Sequence, residues 1–122
     1  MKTILIVEDE TTIAELLSAV LEDEGYRVGS ARNGEEALAR LDEIRPDLIV
    51  SDVMMPILDG VEMCRLVRSD PNFRSIPIVL ISAAPKSVDL RGCKCQAFLA
   101  KPFDLDLLIT TVGELIGGSC ES

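Results

Sequence analysis

Residues 46–60 read PDLIVSDVMMPILDG, and the first half of this stretch sets the fold. Leu48–Val50 is a short, continuous apolar run, which is typical of a strand buried on both faces of a parallel sheet. Asp52 comes two residues after this run, at the point where the chain leaves the interior. A carboxylate at such a position, ahead of two methionines, a proline and a second acid, calls for a chemical explanation.

Four further apolar runs predict four more strands, and amphipathic helical patterns fill the intervals between them. These runs are Ile4–Val7, the weaker Arg27–Ala31, Ile78–Ile81 and Ala97–Leu99. The alternation predicts a parallel sheet with helices on both faces and right-handed crossovers. At 122 residues the chain fits one open, doubly wound α/β domain, since an eight-stranded barrel needs about twice that length.

The first two predicted helices have recognisable ends. An apolar stripe over Ile13–Leu21 marks the first helix, with Thr12 and Glu15 as a capping box at its start. Gly25 is a good stop signal for it. The second helix, NGEEALARLDEI, has to end before Pro46.

The later helical patterns set the limits of the domain. A third helix is predicted from Val61 to the neighbourhood of Pro71, and a last one from about Leu105 to Ile116, stopped by Gly117–Gly118. The domain is therefore predicted to cover residues 1–118, and a small polar tail follows at 119–122.

Composition excludes several classes of function. The net charge of −9 disfavours contact with nucleic acid or anionic lipid, and 3% aromatic residues provide no base-stacking platform. No apolar run approaches the ~20 residues of a membrane span. The start, MKTILIVEDE, is too short in its apolar part and too acidic for a signal peptide. We therefore expect a cytoplasmic protein without a direct nucleic-acid or membrane partner.

The four cysteines are expected to be free thiols in a reducing compartment. Cys93 and Cys95 form a C-x-C pair, but the chain has no histidine, and Cys64 and Cys120 lie far away in sequence. The pattern therefore favours ordinary small or buried side chains over a metal or redox site.

Polar residues follow four of the predicted strands, at the strand ends where open α/β sheets bind ligands. They are Glu8 and Asp9 after the first strand, Asp52 after the third, Ser82 at the end of the fourth and Lys101 after the fifth. Taken singly, each has an ordinary structural explanation, such as a helix cap or a solvated charge. Because the carboxyl ends of parallel strands share one edge, the residues together predict a common site.

The chemistry of this set indicates phosphoryl transfer. Three neighbouring carboxylates repel one another, and one lysine does not neutralise them, so a cation is expected there. Hard oxygen ligands in a partly open site favour Mg²⁺. A carboxylate can form an aspartyl-phosphate, with the metal and Lys101 neutralising charge on the transferring oxygens. Asp52 is the best nucleophile candidate, because it lies centrally among the strand ends.

Five segments together resemble the receiver domain of two-component response regulators, the family of the bacterial chemotaxis regulator. In chain order they are ILIVEDE (4–10), NGEEAL (33–38), PDLIVSDVMMPILDG (46–60), IPIVLISA (76–83) and FLAKPF (98–103). The resemblance covers about residues 2–116. It implies the flavodoxin-like strand order 2-1-3-4-5, of which the chemotaxis regulator is itself a known example.

The resemblance also implies a role for each matching residue. Asp52 is the implied phospho-acceptor, Glu8 and Asp9 the acidic pair that holds Mg²⁺, with Asp9 the direct ligand, and Met54 a further ligand through its backbone carbonyl. Ser82 is the switch hydroxyl, Phe98 the aromatic switch position and Lys101 the lysine of the site, aimed by a cis bond to Pro102. Pro56 and Gly60 shape the loop after Asp52, and Asp59 starts the third helix.

These roles imply a signalling switch, not a metabolic enzyme. A histidine kinase or phosphotransfer protein is the implied donor, and self-phosphorylation and slow autodephosphorylation are the implied activities. The resemblance implies that the signal passes to an output partner or domain through the fourth helix, fifth strand and fifth helix. The resemblance is compatible with a monomer or a weak homodimer.

Three other classes of protein share parts of this pattern. A flavodoxin needs a Ser/Thr/Gly-rich phosphate cradle after the first strand, where this chain has EDETT. A haloacid-dehalogenase-type phosphatase needs an acid two residues after its nucleophile, where this chain has Met54. The main alternative is a pseudo-receiver, an interaction module that works without phosphorylation. The presence of every required residue argues against it, although Glu8 in place of aspartate lengthens one arm of the metal site.

The stretch between Ser82 and Lys101 departs from the family pattern because it is a few residues short. Pro85 cannot donate a helical hydrogen bond outside a first turn, and Gly92 disfavours helix. We predict a truncated or irregular fourth helix near Ser87–Cys93, packed by Val88 and Leu90 and more mobile than the other helices. The output partner is then expected to differ from those that read a standard fourth helix.

Overall fold

The structure is a computed structural model that describes residues 1–116. Five parallel strands form one sheet in the order β2-β1-β3-β4-β5, as predicted. The strands are β1 (Thr3–Val7), β2 (Arg27–Ala31), β3 (Leu48–Asp52), β4 (Ile78–Ser82) and β5 (Ala97–Ala100). The helices are α1 (Thr11–Asp23), α2 (Gly34–Ile44), α3 (Gly60–Ser69) and α4 (Leu105–Ile116).

The sheet separates two apolar layers, which explains why the central strands read as continuous apolar runs. On one face, residues of β1, β3 and β4 pack with α2 and α3; on the other, alternate residues of the same strands pack with α1 and α4. All five residues of β3 and of β4 are buried. β3 extends two residues beyond the predicted strand and β4 extends one. The reason is that the paired residues Asp52–Ile81 and Ser82–Ala100 continue the hydrogen-bonded ladder between neighbouring strands.

The first residues of the helices are stabilised in different ways. The predicted capping box at Thr12 and Glu15 is wrong: the N-cap of α1 is Glu10, two residues before Thr12, and no side chain caps the helix. α3 begins as predicted, since the Asp59 carboxylate accepts a hydrogen bond of 2.8 Å from the backbone N–H of Glu62. Gly25 follows the end of α1 at a φ of 97°, which confirms it as a stop signal.

Between β4 and β5 the described chain forms no α-helix, only a single 3₁₀ turn at Pro85–Ser87. The prediction of a short or irregular fourth helix is confirmed, but its position over Ser87–Cys93 is wrong. Val88 and Leu90 pack against the apolar layer under α3, as predicted. The expected mobility of this segment and its consequence for the output partner stay predictions.

The irregular chain that connects β4 to β5 is called the crossover below. It has almost no helical hydrogen bonds of its own, and two arginines of α3 bind it instead. Arg65 donates to the carbonyls of Arg91 and Asp89 at 2.5 and 3.1 Å. Arg68 donates at 2.8 Å to the carbonyl of Lys94 and at 2.8 Å to the side-chain oxygen of Gln96. Backbone acceptors that a helix would have satisfied internally are thus satisfied by charged donors from a neighbouring element.

The last helix, α4, has the predicted bounds. The expected stop at Gly117–Gly118, the domain end at residue 118 and the polar tail at 119–122 lie outside the described residues. Among residues 1–116, no helix has both the length and the apolar character to cross a membrane.

Candidate functional site

The carboxyl edge of the sheet brings three acidic side chains together. Glu8 and Asp9 follow β1, and Asp52 is the last residue of β3, its neighbour in the sheet. One carboxylate oxygen from each of the three lies within 4.8 Å of the others. Glu8 and Asp52 are buried and Asp9 is exposed, so the cluster opens to solvent on one side.

Lys101 enters the same site from the end of β5. Its Nζ lies 3.2 Å from Oδ1 of Asp52, and its backbone N–H donates to the carbonyl of Ser82 at 2.8 Å. The Lys101–Pro102 peptide bond is cis, as the resemblance implies. The strand ends predicted to meet therefore do meet, with one ammonium against three carboxylates.

The carboxylate of Asp52 is poorly satisfied. Its Oδ1 is buried and accepts no well-formed hydrogen bond within residues 1–116, although the Lys101 ammonium is close. Burial raises the pKa of Asp52, and Lys101 only partly opposes this effect. A buried oxygen without a full set of partners is costly, so the geometry favours a further positive group at this position.

Burial also shifts the pKa of Glu8, and by a large amount. Only 4% of its surface is exposed, and it accepts one backbone hydrogen bond, of 3.1 Å, from Glu10. Burial raises its pKa from 4.5 to about 7, and the negative charges of Asp52 and Asp9 act in the same direction. The backbone hydrogen bond and Lys101 lower the pKa, but by less.

The stability of the metal-free protein is therefore expected to fall as the pH rises from 4.5 to about 7. In this window the folded chain retains a proton on Glu8 that the unfolded chain has released, so deprotonation favours unfolding. The loss should not exceed roughly 3 kcal/mol, at 1.36 kcal/mol per pKa unit. Asp52, whose pKa is also raised, adds to the same slope.

Urea unfolding in the presence of a metal chelator, repeated across this pH range, measures the effect. Glu8→Gln removes the titrating group and should flatten the profile, while Glu35→Gln, which changes an exposed acid at the start of α2, should leave the slope unchanged. Identical slopes for the wild type and Glu8→Gln would show that Glu8 is ionised throughout.

The other residues of the predicted site are close to it in the fold. Ser82 is fully buried, and its Oγ accepts a hydrogen bond of 3.0 Å from the backbone N–H of Ala84. Met54 lies in the loop after β3 and is 68% exposed. Phe98 lies on β5 and packs, partly buried, against the apolar layer under α3. Their implied roles in metal binding and switching stay predictions.

Two supporting contacts were not evident from the sequence. Ser51 donates from its hydroxyl to the backbone carbonyl of Asp52 at 2.9 Å, and Gly60 approaches the same carbonyl so closely that an ideal Cβ there would lie 2.3 Å from it. The Gly60 N–H also donates to the carbonyl of Val53 at 3.0 Å. These contacts fix the backbone around Asp52, and only the glycine in the loop motif hints at them.

The donor set fits a hard divalent cation. Three carboxylates converge, one of their oxygens lacks a full set of partners, and burial resists ionisation of two of them as long as no cation is bound. Oxygen-only ligands with an open side suit Mg²⁺, which keeps several of its water ligands.

In a doubly wound sheet, ligands bind at the carboxyl ends of the strands, where this chain has its acidic cluster and Lys101. The family model described as "Response regulator receiver domain" matches residues 4–113. The chain therefore belongs to the response regulator receiver domain family.

Curated relatives are response regulators. The response regulator Rre1 of Synechocystis is 39% identical over 118 residues, which is 93% of this chain and 51% of the relative. The DNA-binding response regulator MtrA of Mycolicibacterium paratuberculosis is 36% identical over 89% of this chain and 48% of the relative. The chain thus spans about half the length of these relatives. Because some are DNA-binding proteins, the expected absence of a nucleic-acid partner is not confirmed.

Solved structures agree with the assignment. The signal receiver domain of a signal transduction histidine kinase from Syntrophus aciditrophicus is 38% identical, covers 100% of this chain and 95% of its own, and superposes with a TM-score of 0.87. The receiver domain of sensor histidine kinase PA1611 from Pseudomonas aeruginosa is 30% identical, covers 95% and 98%, and has a TM-score of 0.87. That domain was solved with a magnesium ion in its active-site cleft.

Proposed function

We propose that this receiver domain accepts a phosphoryl group on Asp52 and thereby changes conformation to signal to an output partner or domain. The observation that carries the proposal is the poorly satisfied, buried Oδ1 of Asp52, which lies 3.2 Å from the Lys101 ammonium within the three-carboxylate cluster. We place this function in the cytoplasm, with a histidine kinase or phosphotransfer protein as donor. The chain acts as a switch, and its only catalysis is its own phosphorylation and slow dephosphorylation.

In the proposed reaction a carboxylate oxygen of Asp52 attacks phosphorus, and the bond from phosphorus to the donor atom breaks. Lys101, adjacent to Asp52, balances the charge that spreads over the phosphoryl oxygens. The Ser82 hydroxyl uses a lone pair to accept from Ala84, which leaves its hydrogen available for a phosphoryl oxygen.

The metal ligands in this proposal are Asp9, Glu8, Asp52 and the backbone carbonyl of Met54. When bound, Mg²⁺ supplies positive charge to the phosphoryl oxygens and to the cluster. The ionised forms of Glu8 and Asp52, which burial disfavours, are the forms that can ligate. The cleft-bound magnesium of the Pseudomonas receiver domain supports this arrangement.

The switch is proposed to involve Ser82 and Phe98, which lie at the end of β4 and on the adjacent strand β5. A phosphoryl group that binds the two states of the domain unequally shifts their equilibrium. The irregular crossover connects the strands that carry these two residues. A partner that binds this surface would therefore contact a 3₁₀ turn and non-helical chain instead of a helix. The net charge of −9 favours a protein surface over nucleic acid as the direct partner of this domain.

A protein donor also has a surface to dock on. An apolar groove of about 460 Å³ lies beside Lys101 and is lined by α1 and by the start of α4. Leu16, on its rim, exposes 51% of its surface. Burial of this groove by a donor would bring the donor's phosphoryl group to the edge of the sheet where Asp52 lies.

The direct test is incubation with Mg²⁺ and acetyl phosphate, followed by intact-mass measurement. We expect one added phosphoryl group in the wild type, and none when a chelator removes the metal. The alternative function is the phosphorylation-independent pseudo-receiver. It would be favoured if the protein demonstrably binds Mg²⁺, for instance by calorimetry, yet stays unmodified by acetyl phosphate.

A further inference from the structure

Positive charge is concentrated in one part of this acidic chain. Residues 65–94 contain six of its 12 Lys and Arg residues but only two of its 21 Asp and Glu residues. This segment is therefore positively charged, although the whole chain has a net charge of −9. Such a segregation produces a local potential of opposite sign, which can attract an anionic group to one place on an otherwise acidic protein.

Three of these cations gather around one point and are called the basic triad below: Arg68, Arg74 and Lys94. The Arg68 guanidinium donates to the backbone carbonyls of Arg74 and Lys94, at 3.1 and 2.8 Å. Arg74 lies four residues before β4, and Lys94 lies three residues before β5. Because the strands are parallel, the triad lies at the amino edge of the sheet, opposite the edge that carries Asp52.

The charges of the triad are not neutralised within the fold. No carboxylate of residues 1–116 forms an ion pair with any of its members. Arg68 makes four hydrogen bonds, all to uncharged oxygens: three backbone carbonyls and the side-chain oxygen of Gln96. The nearest acid in the sequence, Asp70, accepts from the backbone N–H of Asn72. Three like charges are therefore held together without a counter-ion.

The triad is also anchored, which distinguishes it from scattered surface charges. Arg74 and Lys94 are exposed, but the carbonyl of each is bound by the same guanidinium. Their side chains therefore start from fixed positions on both sides of Arg68. A ligand that binds them has less chain to order, so it loses less conformational entropy on binding.

We propose that the basic triad is a docking surface for a short acidic segment of a partner protein. The negative charge of such a segment is confined to the length of the triad, so it does not reach the acidic remainder of this chain. A nucleic acid extends its charge far beyond the triad, and 3% aromatic residues provide no platform for its bases. A second copy of this chain is disfavoured, because each copy carries a net charge of −9.

The experiment measures binding of fluorescein-labelled hexaglutamate to the full chain by fluorescence anisotropy, with labelled hexaglutamine as the uncharged counterpart. We expect hexaglutamate to bind more tightly, and its affinity to fall as salt is added, because salt screens exposed charge pairs. Arg74→Glu together with Lys94→Glu should lower the affinity about tenfold, or about threefold for each reversed cation. Arg68 is left unchanged, because it also binds the crossover.

The matched control is Arg27→Glu together with Arg32→Glu. It makes the same change in net charge at two exposed residues beside β2, the edge strand on the far side of the sheet from β5. This variant should bind hexaglutamate within about twofold of the wild type, since charges beyond about 10 Å are screened. Equal weakening by the two double variants would show that binding follows net charge, and it would overturn the proposal.

This surface is independent of the proposed phosphorylation, and the two can be tested separately. Asp52→Asn should bind hexaglutamate like the wild type, and the variant with Arg74→Glu and Lys94→Glu should still be phosphorylated by acetyl phosphate. Equal affinity for hexaglutamate and hexaglutamine would overturn the proposal. Tighter binding of a single-stranded oligonucleotide would assign the triad to nucleic acid instead. Self-association in sedimentation velocity that the triad variant abolishes would assign it to a second copy, and it would equally overturn the proposal.

Discussion

Replacement of Asp52 with asparagine is expected to abolish phosphorylation by acetyl phosphate. An amide retains the shape of the side chain but has no anionic oxygen to attack phosphorus, and it removes one of the three carboxylates from the metal cluster. The ion pair with Lys101 is lost as well. We therefore expect complete loss of the added phosphoryl group, measured by intact mass at saturating Mg²⁺.

The matched control is Asp106→Asn, the same substitution at an exposed position in the first turn of α4. It should be phosphorylated like the wild type, with a comparable melting temperature. Asp52→Ala is a second test that avoids hydrolysis of the new asparagine back to aspartate. Retention of the phosphoryl group by Asp52→Ala would show that another residue is the acceptor and would contradict the proposed role of Asp52.

Much of the fold could be predicted from local patterns. Continuous apolar runs such as Ile78–Ile81 indicate strands that are buried on both faces of the sheet. The apolar pattern of the last predicted helix indicated the bounds of α4 correctly. The strand order was implied by resemblance, because a local pattern carries no information on which strands pair. The end of β3 was predicted two residues too early, since the ladder pair of Asp52 with Ile81 depends on a distant strand.

The errors arose where long-range contacts outweigh local preference. Thr12 and Glu15 have the spacing of a capping box, yet the chain leaving the carboxyl edge of the sheet already turns into helix at Thr11. The sequence between Ser82 and Lys101 correctly indicated a poor helix. It did not reveal that Arg65 and Arg68, on α3, would hold the carbonyls of this crossover.

For the site, the sequence predicted which residues meet but not their energetics. Strand ends placed Glu8, Asp52 and Lys101 at one edge, whereas the rise in the pKa of Glu8 to about 7 depends mainly on its burial in the folded chain. The cysteines show the same limit: 29 positions separate Cys64 from Cys93 in the sequence, and only the packing of α3 against the crossover brings both into one apolar layer.

The second large effect is expected from Gly60→Ala, at the start of α3. An ideal Cβ at this position lies 2.3 Å from the backbone carbonyl oxygen of Asp52 and 3.1 Å from its carbonyl carbon. Both atoms are backbone, so no side-chain rotation relieves the clash, and either α3 or the end of β3 has to shift. We expect a loss of about 3 kcal/mol or more in the free energy of unfolding, or roughly 10 °C in melting temperature.

The control is Gly113→Ala on α4, where an added Cβ meets no atom within 4 Å. Because alanine is the better helix former, this variant should gain about 0.5–1 kcal/mol. The shift in Gly60→Ala displaces the acceptor itself, so its folded fraction should also be phosphorylated more slowly than the wild type at equal Mg²⁺. Normal stability in Gly60→Ala would mean that the backbone around Asp52 adapts to the methyl group. A destabilised variant with an unchanged phosphorylation rate would mean that α3 moves while Asp52 stays in place, and either result would contradict the view that Gly60 sets the position of the acceptor.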